Sequence, residues 1–336
     1  MRIHTCLALF ICAAVAAVAC KRDPSGAAGS KATPVRLRVA VVPKGTTHEF
    51  WKSVHAGAVK ASRELDVDVV WKGPLREDDL KGQIDVVQSF VAQGVGGIVV
   101  APLSDRGLVG SVRAASQAHV PVVVFDSDLA GGDYVSFVAT DNEAAGRMAA
   151  EAIAGRVGGA GNVALLRYQE GSASTSLRER GFVDALRAHP AVKLVSESQY
   201  GGATTESAEK ACENLLAALR ADAGNLQAIF APNESTTFGV LLALRKAGLA
   251  GKVHVVGFDA SDKLVQALRA GEIDALVVQR PFDMGYLAVK TLVRHARGEQ
   301  VEHRIDTGST LVTKDNLDAP EVRPLVSPDL QTWLQE

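Results

Sequence analysis

Eight of nine short apolar runs in this chain end in residues able to grip a polar ligand. The residues just past them are Lys44 to Trp51, Pro102 to Asp105, Asp126 to Asp128, Gln169 to Arg178, Tyr200, Asn233, Asp259 and Gln279. This set is rich in Asp, Asn, Gln, Arg and aromatic side chains. Planar amide, carboxylate and guanidinium groups can pair two neighbouring hydroxyls at once, and hydroxyls both donate and accept. An aromatic face suits the C–H side of a hydroxylated ring. The chemistry these types favour is recognition of a small polyhydroxylated molecule.

Other chemistries find less support. Asp126 and Asp259 could form the carboxylate pair of a glycosidase, a reading that only their separation in space can judge. His48 and Glu49 begin no H-E-x-x-H pattern, and His55 stands seven residues on. Asp126, Asp128 and Asp133 have the look of a calcium loop, but Ala130 occupies a liganding position. The Gly-rich stretch 155–163 precedes a strand, whereas a dinucleotide loop must follow one. No G-x-S-x-G or Walker sequence occurs. No metal, cofactor or catalytic residue is therefore expected. Structural duties compete with ligand duties at several positions. Asp259 could cap a helix starting near Ser261, and Asp141 and Asn142 could cap the next one. Arg178 could form an exposed ion pair with a neighbouring Glu. Trp51 could be core. Gln279 is harder to explain as structure, since an amide after an apolar strand is costly unless paired.

The elements that must position these residues repeat along the chain. Continuous Val/Ile/Leu runs fall at 37–43, 68–71, 97–102 and 121–125, then at 162–168, 192–198, 228–232, 253–259 and 275–279. Such runs mark strands buried on both faces. Amphipathic stretches lie between them, for example 78–93, 142–157, 173–188 and 234–247. Strand–helix alternation implies βαβ units and parallel sheets, with ligands beyond the carboxyl ends of the strands. In 336 residues, two doubly wound α/β lobes fit better than one sheet. The hydrophobic fraction of 47% permits two cores, and a net charge of −2 without long charge runs calls for no nucleic-acid partner.

The first residues read differently. Arg2 precedes an apolar stretch at 6–19, too short to cross a bilayer comfortably, and small residues lead up to Cys20. Residues 1–19 read as a secretory signal peptide. Ala17, Val18, Ala19 and Cys20 resemble a bacterial lipobox, with Ala17 where Leu is usual, so Cys20 would carry the lipid; plain cleavage or an uncleaved anchor are the alternatives. Residues 20–34 would be anchor and tether, small, polar and broken by Pro and Gly. Cys6 and Cys12 leave with the signal, and Cys212, the remaining one, reads as a small buried hydrophobe.

Seven segments in order, HEFWKSVHAGA (48–58), FDSD (125–128), ATDN (139–142), SLRERGF (176–182), APNES (231–235), VVGFDAS (255–261) and VVQRPFDMG (277–285), resemble the periplasmic binding proteins of the ribose and galactose type. The likeness spans about residues 36–315. It implies two doubly wound parallel-sheet lobes joined by a three-strand hinge, the type I periplasmic binding fold, with crossings near Asp141, Gln279 and Gly308. The N-terminal lobe would take 35–141 plus 280–308, and the C-terminal lobe 142–279 plus 309–336. It also implies a binding site made of His48, Phe50, Trp51, Asp126, Asn142, Arg178, Asn233, Asp259 and Gln279, with Tyr200 as an opposing ring. The implied partners are a sugar or polyol and an ABC transporter permease. The implied setting is the periplasmic face of a bacterial membrane, with the protein a monomer.

Departures from the ribose pattern shift the expected ligand. His48 stands where that type has Asn, and Ser127 where it has Arg. Lys44 and the Asp126–Ser127–Asp128 triplet look more like binders of a furanose-like autoinducer or rhamnose, where Lys44 and Asp128 would enter the site. The expectation is a monosaccharide or related polyol. A sensing module for a membrane receptor or kinase is the alternative. A lac-repressor-type regulator shares the fold, but an apolar segment and tether stand where its helix-turn-helix would be.

Overall fold

The computed structural model describes residues 36–334. In chain order, β1 (Arg38–Val42), α1 (Glu49–Leu65), β2 (Asp68–Trp71), α2 (Leu80–Ala92), β3 (Gly97–Val100), α3 (Val109–Gln117), β4 (Val122–Phe125) and β5 (Ser136–Ala139) build the first lobe. Then α4 (Asn142–Arg156), β6 (Gly161–Arg167), α5 (Ala173–Leu186), β7 (Val192–Tyr200), α6 (Thr205–Leu219), β8 (Ala228–Phe230), α7 (Glu234–Lys246), β9 (His254–Phe258), α8 (Asp262–Ala270) and β10 (Ala275–Gln279) build the second. The chain returns to the first lobe with α9 (Pro281–Ala296) and β11 (Arg304–Asp306), and crosses again into β12 (Ser309–Thr313).

One sheet has the order β11-β5-β4-β3-β1-β2, with every pair parallel. The other has the order β12-β10-β9-β8-β6-β7, parallel except for the edge strand β12, which runs antiparallel to β10. These are the two parallel-sheet lobes of the type I periplasmic binding fold. Each sheet is flanked by helices on both faces, and a separate apolar cluster fills each interface. The Val-rich runs became strands because burial on both faces rewards β-branched side chains on a pleated surface. The strands β5, β11 and β12 were not among the expected runs. They are short, and β11 (RID) carries two charged residues, so no apolar signal marks it. The chain passes between the sheets three times, at 140–141, at 280 and at 307–308.

Two helix contacts are closer than side chains allow. In the second lobe a Cβ on Gly146 of α4 would lie 2.0 Å from the Arg178 carbonyl oxygen of α5, and one on Gly181 would lie 2.2 Å from the Glu143 oxygen. The first lobe repeats this between α1 and α9, where Gly57 faces Phe282 and Gly285 faces Val54 at comparable distances. Backbone rests on backbone at both places.

The tail touches both lobes. Val322, just before the short helix α10 (Arg323–Val326), and Val326, its last residue, are buried in the second lobe's core. The next turn, α11 (Gln331–Leu334), lies on the first lobe instead. There Arg63 of α1 donates to the carbonyls of Thr332 and Trp333 at 3.2 and 3.1 Å, and the Trp333 ring sits 6.0 Å from that of Phe282. Aromatic packing and free carbonyls at a short helix end draw the segment across.

Candidate functional site

The strand tips of both lobes meet at one polar cavity. From the first lobe come Lys44 after β1, His48, Phe50 and Trp51 at the start of α1, Glu77 in the loop after β2, and Asp126 after β4. From the second come Tyr168 and Ser172 after β6, Ser174, Thr175 and Arg178 on α5, Asn233 and Glu234 at the start of α7, Asp259 after β9, and Gln279 ending β10. All stand at carboxyl ends of strands or in the first turns of the helices that follow, as an open α/β sheet requires.

Asp126 and Asp259 hold equivalent places, each directly after the fourth strand of its lobe. Both adopt left-handed backbone conformations, with φ of 61° and 66°. Such a conformation is uncommon for residues other than glycine, and Asp tolerates it better than most. The turn aims each carboxylate back over its sheet edge.

The first-lobe wall is internally neutralised. Lys44 Nζ lies 2.8 Å from Asp126 Oδ2, both side chains being about 5% exposed, and donates across the cleft to Ser174 Oγ at 3.2 Å. Glu77 gathers three partners. Its Oε1 accepts from Trp51 Nε1 at 2.6 Å and lies 3.0 Å from His48 Nδ1, while Oε2 accepts from the hydroxyl of Tyr168 on the other lobe. Burial would lower the His48 pKa, but the bond to Glu77 and the charges of Glu77, Glu234 and Asp259 raise it to about 9. Burial pushes the Glu77 carboxyl up, yet His48 and Lys44 bring it down to about 2. Both are ionised at neutral pH.

The second-lobe wall is left incomplete. Arg178 is 2% exposed. Its Nε donates to Asn142 Oδ1 at 2.8 Å and its Nη1 to the Pro232 carbonyl at 2.9 Å, and its guanidinium covers the Phe258 ring at 3.9 Å. Its Nη2 has no partner. Gln279 donates from Nε2 to Asp259 Oδ1 at 2.7 Å, but its Oε1 is unpaired, as is Ser172 Oγ. All three orphaned atoms belong to residues lining the cavity. Buried polar atoms without partners are rare because each forfeits its hydration. Asp259 is raised by burial against the pull of Arg178, and burial pushes Glu234 up to about 7.

Across the cleft Phe50 N–H donates to Glu234 Oε2 at 3.3 Å, and Ser174 N–H to Ser127 Oγ at 3.1 Å. The lobes are thus in contact, and the cavity between them is only ≈ 30 Å³. A sugar-sized guest enters only if the lobes part.

A model of the periplasmic binding protein domain matches residues 39–300. The chain belongs to this family. The binding protein is 29% identical to the ribose import binding protein of Haemophilus influenzae, the match covering 86% of this chain and 96% of that one. It is 31% identical to the D-allose-binding periplasmic protein of Escherichia coli, over 76% of this chain and 83% of that one. Its fold superimposes on a carbohydrate transporter solute binding protein from Agrobacterium radiobacter, solved with D-arabinose, with a TM-score of 0.83 and 32% identity, covering 88% of this chain and 100% of that one.

Of the residues singled out in the sequence, the binding protein brings Lys44, His48, Phe50, Trp51, Asp126, Arg178, Asn233, Asp259 and Gln279 to the cavity. Asn142 stays behind it, holding Arg178 from the start of α4. Asp128 and Tyr200 do not arrive. Asp128 turns to its own neighbour Leu129 N–H at 2.7 Å and to the Tyr134 hydroxyl at 2.9 Å. Tyr200, 45% exposed, sits at the far edge strand with its ring 5.9 Å from Arg167. Trp51 is both wall and core, its ring meeting Phe50 and Phe125 edge-on. Asp259 does not cap α8; it accepts the Glu234 N–H at the start of α7 at 3.1 Å, a helix that Asn233 caps through the Thr236 N–H. Asp141 caps α4 through the Ala144 N–H. Cys212 is fully buried in the second lobe.

Glu77, Tyr168 and Glu234 also line the cavity and were not singled out in the sequence, and Ser172 stood only within the stretch Gln169 to Arg178. Glu77 lies in the acidic run 77–79, where nothing in the spacing marks one carboxylate for burial. The available signal was indirect, since a buried Trp N–H and Tyr O–H need acceptors. Cys20 and the signal segment lie outside the described residues.

Proposed function

We propose that this chain is a solute-binding lipoprotein that captures a monosaccharide or related polyol between its lobes and delivers it to an ABC importer. The convergence of three unpaired buried polar atoms, on Arg178, Gln279 and Ser172, carries the reading. Arg178 Nη2 donates to a ring or hydroxyl oxygen, Gln279 Oε1 accepts a hydroxyl hydrogen, and the Ser172 hydroxyl does either. Asp126 and Asp259 accept further hydroxyl hydrogens, Asn233 adds an amide, and the Phe50 and Trp51 rings take the C–H face. His48 adds a charged donor. Binding follows rotation at the three crossings, the guest bridging two walls that otherwise touch each other. The relatives' names, with ribose, allose and arabinose, support a sugar. The small residues before Cys20 support an anchor, with 21–34 as tether and the folded body acting as a monomer.

A thermal-shift screen of the unliganded protein against monosaccharides and polyols tests this. A ligand at a hundred times its dissociation constant stabilises by about 2.7 kcal/mol. A flat response across ribose, allose, arabinose, galactose, rhamnose and xylitol overturns the assignment.

A further inference from the structure

Beside the polar cavity lies a larger space of ≈ 430 Å³. Phe50, Asp259 and Gln279 line both, so these three side chains form the partition between the two spaces. The outer wall of the larger one is the tail segment 325–331, held between its anchors in the second lobe's core and on α1 of the first.

The lining is mixed in the way a sugar ring requires. Ser53, Asp262, Asp329 and Gln331 offer hydrogen-bonding groups, while Pro281 and Leu330 offer apolar surface. Gln279, 1% exposed, borders the space with its Oε1 unpaired. Among the described residues that line it, Glu49, Asp259, Asp262 and Asp329 outnumber the one cation, Lys52. An acidic substituent would be repelled there, and a neutral hydroxylated one would not.

We propose that the ring held in the polar cavity carries a neutral hydroxylated substituent that passes Asp259 and Gln279 into this compartment. The preferred ligand is then a glycoside of disaccharide size, and the C-terminal segment is part of the recognition surface. This rests on the sugar reading of the polar cavity and narrows it. The second space, at ≈ 430 Å³, has room for a whole further ring.

Titration calorimetry of the full chain with monosaccharides (ribose, allose, galactose) and neutral disaccharides (lactose, melibiose, cellobiose, trehalose) decides it. At least one disaccharide is expected to bind tenfold or more tighter than its free component sugars. Leu330→Trp, which fills the compartment, and a chain ending at Val326, which removes its wall, should each collapse that affinity ratio. The ratio is the readout, since a reduced folded fraction does not move it. Monosaccharides binding as tightly as every disaccharide would overturn the proposal and leave the sugar reading intact. So would a disaccharide preference that both variants retain. Absence of binding by either class would sink both.

Discussion

The two walls of the cleft are built from matching strand tips but treat their charges in opposite ways. On the first-lobe side the charged residues lining the cavity are paired, Lys44 with Asp126 and His48 with Glu77. In the second, Arg178 keeps an idle nitrogen and Gln279 an idle oxygen, both almost fully buried. A saturated wall holds shape. An unsaturated one is costly until something fills it. The contrast assigns positioning to the first lobe and discrimination to the second.

Substitutions can break or sharpen that contrast. Arg178→Ala should do most, because removing a buried charged donor costs roughly 2–5 kcal/mol, about thirtyfold to several thousandfold in affinity. A binding isotherm within threefold of the unaltered protein would refute the division of labour. Asp259→Ala comes next. It removes a hydroxyl acceptor, and it also strands the Gln279 amide and the Glu234 N–H, so the unliganded melting point should fall with a loss of about 1 kcal/mol. Gly146→Ala forces a methyl against the Arg178 carbonyl and should destabilise by about 1–3 kcal/mol while displacing the guanidinium. Its first-lobe counterpart, Gly57→Ala, should cost similar stability and leave Arg178 in place, so only the former should weaken binding beyond its effect on folding.

Smaller effects follow from protons. Between pH 6.5 and 9 the folded chain keeps a proton on His48 that the unfolded chain has released, so stability falls as pH rises through that window. Glu234, raised to about 7, acts in the same direction between the ordinary carboxylate range and neutrality. His48→Gln should flatten the slope of melting temperature between pH 6.5 and 9, and an unchanged slope would place the proton elsewhere. Tyr200→Ala, at the remote edge strand, should stay within about 0.5 kcal/mol in stability and leave binding untouched.

The sequence revealed most where burial imposes a repeating pattern. Two-sided burial writes itself as unbroken Val and Ile, so β1, β3, β4, β9 and β10 were legible and their tips pointed to the cleft. Edge strands such as β11 face solvent and hold too few residues to show a period. At the site, residues adjoining apolar runs could be found by position alone. Glu77 could not, because its burial depends on Trp51, His48 and Tyr168 arriving from three other elements. Asp128 was misplaced for the mirror reason. Proximity to Asp126 suggested a shared duty, but a left-handed turn at Asp126 sends the next residues away toward Tyr134.

The paired glycines reach further than local packing. α4 and α9 each begin just past a point where the chain changes lobes, and each is seated backbone to backbone on a helix that bears cavity-lining side chains, α5 with Arg178 and α1 with Phe50 and Trp51. Contacts of that kind leave no soft side chains to absorb a displacement. Each lobe is therefore stiff from its crossing to its cavity wall, so that a few degrees of turn at residues 140 and 280 would be carried to the cavity undiminished.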